Sequence, residues 1–215
     1  MSEQIDIFDA NLKKLGSADR VAAHRDGAWH RTFHLWIVSE ENRGSLIFQL
    51  RSPKAKNYPN LLDITAAGHL HAGEELADGV REVSEELGIV PQQDQLHWLG
   101  YRIEVADQDN GQRNREYQGV FLLKDNRALA NYCPDPNEVY GLLSIPIAAG
   151  MKLFSGKVQS VDASGIRYEA STHSWGQCHE VIVKDRFLPR IQNYYLTVLI
   201  MAERLLDGRQ PLSIS

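Results

Sequence analysis

The run Gly68-His69-Leu70-His71-Ala72-Gly73-Glu74, continuing through Arg81-Glu82-Val83-Ser84-Glu85-Glu86-Leu87-Gly88-Ile89, decides how this chain is read. Leu76, Val80, Val83 and Leu87 recur at helical spacing, acidic residues fill the first turn, and Gly88 stands where a helix stops. The pattern predicts a helix over Glu74 to Leu87. Glu82, Glu85 and Glu86 then fall at i, i+3 and i+4, three carboxylates on one face. Like charges that close repel by a few tenths of a kcal/mol per pair. Clustered hard oxygen donors suit Mg²⁺ or Mn²⁺, which keep phosphate oxygens and waters as further ligands. Read alone, however, the three glutamates fit a solvated acidic face better than a metal site.

On the N-terminal side, residues 5–16 read as a hairpin with Asp9, Asn11 and Gly16 as turn residues, and residues 17–26 as a short helix started by Ser17. Thr32 to Val38 and Leu46 to Leu50 are β-prone runs separated by a turn, so they read as paired strands. Ser52 to Pro59 is a basic loop. On the C-terminal side, Trp98 to Val105 and Glu116 to Leu123 are strands around the polar loop Asp107 to Asn114. Residues 137–154 offer a strand and a short helix. Val158 to Tyr168 reads as a hairpin turning at Asp162-Ala163-Ser164-Gly165, and a last helix covers about 186–207. The expected organisation is a single domain over 1–215, with a core at about 28–150, an N-terminal hairpin and helix over 1–27 and a C-terminal elaboration over 151–215.

A chain of 215 residues can bury a full core, and its 43% hydrophobic and 24% charged residues are ordinary for a globular protein. A net charge of -5 argues against nucleic acid as the main partner. Cys133 and Cys178 form no metal or disulfide framework, the N-terminus lacks a signal-peptide core, and the apolar run Leu196 to Ala202 is far short of the roughly 20 residues a membrane helix needs. These features predict a cytoplasmic protein with neither a membrane nor a nucleic-acid partner.

The segment around the helix resembles the Nudix box, G-x5-E-x7-R-E-U-x-E-E-x-G-U with U aliphatic. Gly68, Glu74, Arg81, Glu82, Val83, Glu85, Glu86, Gly88 and Ile89 fill its fixed positions. One residue is missing: six, Glu75 to Val80, separate Glu74 from Arg81 where the pattern has seven. The resemblance implies an α/β/α sandwich with a mixed β-sheet, here with a C-terminal helical extension. It implies a metal-dependent hydrolase, with Mg²⁺ or Mn²⁺ as cofactor, that cleaves a diphosphate linkage in a nucleoside or small organic derivative by water attack. Glu82 and Glu86 become metal ligands, Glu85 a ligand or the base, and Arg81 the group that orients the carboxylates. The carbonyl of Ala67 is a further ligand candidate. Gly68 serves backbone geometry or is a simple turn glycine. Arg51 and Lys54 precede the box and are candidates to neutralise a diphosphate, with a solvated basic loop as the alternative. The expected partner is a small-molecule diphosphate substrate, and a homodimer is one assembly left open.

Trp29 to Trp36, Ile64 to His69 and Asn114 to Phe121 resemble the branch that includes type I isopentenyl-diphosphate isomerase. In that branch a cysteine before the Gly-His pair moves a proton; here the position is Ala67, which can neither donate nor accept one. The isomerase also binds metal through histidines and an E-x-E pair. His30 and His69 match two of the histidines, and His24 is a third whose spacing is off by one. Glu116 matches the second glutamate, while the first is Asn114. Each of these histidines, and His34, also reads as an ordinary strand or loop residue, and Glu116 as a strand-end charge. Hydrolysis therefore outranks isomerisation, and a non-catalytic diphosphate-sensing module is disfavoured because all three box glutamates are present.

Overall fold

A computed structural model describes residues 3–190 and 192–214. In chain order its regular elements are Gln4–Phe8 (β1), Lys14–Asp19 (β2), Arg20–Asp26 (α1), Trp29–Ser39 (β3), Ser45–Arg51 (β4), Leu62–Asp63 (β5), Ala66–His69 (β6), Val80–Leu87 (α2), Leu96–Asp107 (β7), Arg113–Lys124 (β8), Val139–Pro146 (β9), Ile147–Phe154 (α3), Ser160–Glu169 (β10), Ser174–Val183 (β11) and Tyr194–Leu206 (α4). The strands form one sheet ordered β11-β10-β9-β4-β3-β1-β2, with β6 and β8 also on β3 and β7 outside β8. β3 and β8 run parallel, His30 opposite Glu116 through Val38 opposite Lys124, while the other strand pairs are antiparallel. The sheet is mixed, as expected.

Side chains of β3 alternate between two cores because successive residues of a strand face opposite ways. Phe33, Leu35 and Ile37 pack with Val83 and Leu87 of α2. Trp36 and Val38 pack on the other face with Leu153 of α3 and Val198 and Leu199 of α4. Helices thus cover both faces of the sheet. Both C-terminal strands belong to that sheet, and among the described residues no helix is long and apolar enough to cross a membrane.

Five features differ from expectation, each for a local reason. Ser17 does not start the first helix: it lies in β2 with its hydroxyl donating to Asp6, and Asp19 caps the helix by accepting from the Ala22 N–H at 3.0 Å. Gly16 is likewise in β2, and the reversal falls at Asp9–Leu12, where Leu12 has φ 62°. The box helix begins with a 3₁₀ turn, Leu76–Gly79, and becomes α-helical only at Val80, because Glu75 and Asp78 cap each other's backbone and Glu74 is held in the preceding loop. Asp162-Ala163-Ser164-Gly165 is no turn; it lies inside β10, which pairs with β9 on one side and β11 on the other. A Cβ on Gly165 would lie 1.9 Å from the Leu142 carbonyl oxygen, so the glycine serves close strand approach. The last helix starts at Tyr194, because Pro189 ends any helical run from 186.

Candidate active site

α1 ends at Gly27, whose left-handed backbone (φ 69°) reverses the chain and returns His24 over His30 of β3. Register places His30 opposite Glu116 of β8, and Thr32, two residues on, opposite His69 of β6. The result gathers His24, His30, His69 and Glu116, whose ligand atoms all lie within 4.8 Å of one another. Among the described residues it is the one such group of three or more His, Cys, Asp or Glu side chains.

The geometry suits a cation. His24 Nδ1 lies 2.8 Å from the Arg20 carbonyl and His30 Nδ1 lies 2.9 Å from that of Ala28. Carbonyls accept only, so each Nδ1 carries the proton and each Nε2 presents a lone pair inward. His30 Nε2 is buried without a hydrogen-bond partner, 3.9 Å from Glu116, and His24 Nε2 lies 3.3 Å from His69 Nε2. Burial pushes the His30 pKa down, and that of His69 well down, toward the neutral form a metal takes. Gln118 donates to Glu116 at 2.7 Å and fixes its carboxylate. Three imidazoles and a carboxylate form a donor set for a divalent transition ion such as Mn²⁺ or Zn²⁺. His24 joins the cluster although its spacing is off by one.

On the opposite side of β6, α2 brings two of its glutamates to the strand. Glu86 is 6% exposed and accepts the Ala67 N–H at 3.1 Å. Glu82 lies directly over Gly68, where a Cβ would stand 2.0 Å from its carboxyl carbon. Gly68 is therefore a strand residue and not a turn glycine, and its lack of a side chain clears space for Glu82. Burial raises the pKa of both carboxyls, that of Glu86 strongly, with Glu138 adding repulsion to each. Glu138, just before β9, has its own pKa raised by burial, Asp135 and Glu85. Its position far from the box left no signal in the sequence.

Arg81 ties the box together. It donates to Glu74 at 3.1 Å, Glu82 at 2.9 Å, Glu85 at 2.7 Å and the His69 carbonyl at 3.3 Å. Burial opposes its charge, but Glu74, Glu82 and Glu85 outweigh that and hold its pKa above the ordinary value. The residue missing from the box pattern has not broken the Glu74–Arg81 pair. Glu85, by contrast, keeps a side chain 55% exposed and reaches Arg81 rather than the other glutamates. Arg51 donates to the Asn57 carbonyl and to Asp63, and its charge offsets the rise at Glu86. Lys54 reaches Asn137, beside Glu138, at 3.5 Å. His34 stays outside the cluster, buried against the Tyr194 hydroxyl at 3.1 Å.

No family model matches the chain. It is similar to an uncharacterized Nudix hydrolase of Clostridium acetobutylicum, 33% identical over 200 residues, which is 92% of this chain and 95% of that protein. It is also similar to an isopentenyl-diphosphate Delta-isomerase of Photobacterium profundum, 31% identical over 112 residues, 50% of this chain and 62% of that one. Among solved structures, a protein of Deinococcus radiodurans shares the fold with a TM-score of 0.54 at 22% identity, covering 72% of this chain and 90% of its own. A Nudix hydrolase of Alicyclobacillus acidocaldarius does so at 0.52 and 13%, covering 86% and 97%.

Proposed function

The chain belongs to the Nudix hydrolase family, and from that premise we propose that it hydrolyses a diphosphate linkage in a nucleoside or small organic derivative with Mg²⁺ or Mn²⁺. The observation that carries this reading is the pairing of the His24, His30, His69 and Glu116 cluster with Glu82 and Glu86 across β6. The cluster and the two glutamates would hold divalent cations, which neutralise the diphosphate and acidify an attacking water when bound. Arg81 fixes Glu82, Gln118 fixes Glu116, and Arg51 and Lys54 supply positive charge beside Glu86 and Glu138. The water oxygen attacks phosphorus, the bond to the bridging oxygen breaks, and that oxygen leaves with the second phosphate group. A proton passes to a carboxylate of the site, with Glu116 or Glu86 the buried candidates and the exposed Glu85 less well placed. Phosphate release from a panel of nucleotide and isoprenoid diphosphates, with each ion and with chelator, tests the reading. Turnover that survives chelation would overturn the metal dependence.

The histidine cluster and the isomerase relatives favour one second reading, isomerisation of an isopentenyl group. That reaction adds a proton at one carbon and removes another elsewhere, so it needs two positioned acid/base groups. Glu116 supplies one. The methyl of Ala67 stands where the branch has its cysteine.

A further inference from the structure

Polar side chains continue along the sheet beyond the histidine cluster, on the same face. Register sets Thr32 opposite both His69 and Gln118, and Gln118 opposite Arg102, so a row of four polar residues crosses β6, β3, β8 and β7. Arg102 closes the row. It is 5% exposed, its Nη1 donates to Gln118 at 2.5 Å and pairs with Glu104, and its guanidinium lies 4.7 Å from the centre of the Tyr194 ring. Its Nε and Nη2 are buried and make no hydrogen bond. Arg190 approaches the same ring at 5.9 Å, pairs with Asp63 at 2.8 Å and Glu104 at 3.7 Å, and leaves its Nε without a partner.

Buried donors of a charged group are seldom left without acceptors. Here the unused pair is a particular one: Nε and Nη2 form the edge by which arginine grips two oxygens of a planar or tetrahedral anion at once. Gln118 links Nη1 of Arg102 to Glu116, so the guanidinium that carries the edge stands one side chain from the cluster. An isoprenoid tail would leave these donors unpaired. We propose that the organic end of the substrate carries an oxyanion with two acceptor oxygens, a carboxylate or a terminal phosphate, that lies along the Nε–Nη2 edge of Arg102. The proposal rests on the hydrolase reading above. Because the edge is sealed from solvent, the occupant displaces a neighbour to reach it.

Matched probes test it: pentyl diphosphate, 4-carboxybutyl diphosphate and 4-phosphobutyl diphosphate, with Mg²⁺ or Mn²⁺ present. Hydrolysis gives kcat/KM, and calorimetry with the methylene-bridged analogues gives affinity without turnover. One of the acidic probes should exceed the pentyl compound about ten- to a hundredfold, the range of a charge-assisted hydrogen-bond pair, and which one does so identifies the anion. Arg102→Lys keeps the charge beside Glu104 but lacks the two-pronged edge, and should bring the ratio to within about threefold. Its thermal unfolding shows that it folds, and the wild-type ratio is decisive without it. Preferential binding with no hydrolysis of any probe keeps the Arg102 site and overturns the hydrolase reading. Equal binding of all three, or a preference that survives in Arg102→Lys, overturns the site even where every probe is hydrolysed.

Discussion

Glu86 holds its carboxylate against the Ala67 N–H in a buried setting, while Glu85, the next residue, extends toward Arg81 at the surface. The sequence gives both the same standing, since i+3 and i+4 share a helix face; only the packing of α2 on β6 separates them. Glu86→Gln should cut turnover at least about a hundredfold, the scale of losing electrostatic help at phosphorus. Its unfolding temperature should hold, because no buried charge remains to be desolvated. Glu85→Gln should also slow turnover, and by less; a larger loss there would reverse the assignment. At Ala67 the expectation is qualitative. With isopentenyl diphosphate and Mg²⁺, proton NMR should show no dimethylallyl product, and a signal growing at an enzymatic rate would mean another group replaces the absent cysteine. The box glutamates were legible because their spacing is a helix period. Glu138 and Arg102 were not, because only tertiary packing carries one to the box and sheet register the other to the cluster.

The histidine cluster draws single residues from α1, β3, β6 and β8, so an ion bound there would clamp a short helix to three strands. Unfolding followed with and without Mn²⁺ should show stabilisation of about 4 kcal/mol at a thousandfold excess over the dissociation constant. His30→Ala should abolish that gain; an undiminished gain would place the ion elsewhere. The docking of α2 makes a second demand. A Cβ on Gly79 would stand 2.5 Å from the Phe33 ring, so Gly79→Ala should cost about 1–3 kcal/mol in denaturant unfolding, and a neutral effect would contradict this packing. Strands such as β3 and β4 were readable because runs of β-prone residues and their turn need no tertiary help. The stretch at Asp162 to Gly165 misled because turn-forming residues were overridden by neighbours on both sides of β10.

At the scale of the whole molecule, the C-terminal helix and the sheet meet through polar groups as well as through the core they share. Tyr194 of α4 accepts from Trp36 at 2.9 Å, contacts His34 at 3.1 Å, and lies beneath Arg102 and Arg190. Burial, with Arg190 and Arg102 adding repulsion, holds the His34 pKa well below its ordinary value. In the unfolded chain the same ring regains a pKa of about 6.5. Below that pH the unfolded state therefore binds more protons than the folded one, and stability is lost as pH falls from about 6.5 toward the folded pKa. One such group contributes at most about 1.4 kcal/mol per pH unit. His30 and His69 are shifted in the same direction, so the share of His34 must be read by difference. In chelator-treated protein, urea unfolding between pH 5 and 7 should show a shallower fall for His34→Gln than for wild type, by up to that slope. Tyr194→Phe removes the hydroxyl but leaves the ring buried and neutral, so it should lower stability by about 1–3 kcal/mol at every pH without flattening the profile. Parallel curves for wild type and His34→Gln would show that this buried histidine does not govern how the C-terminal helix holds to the sheet in acid.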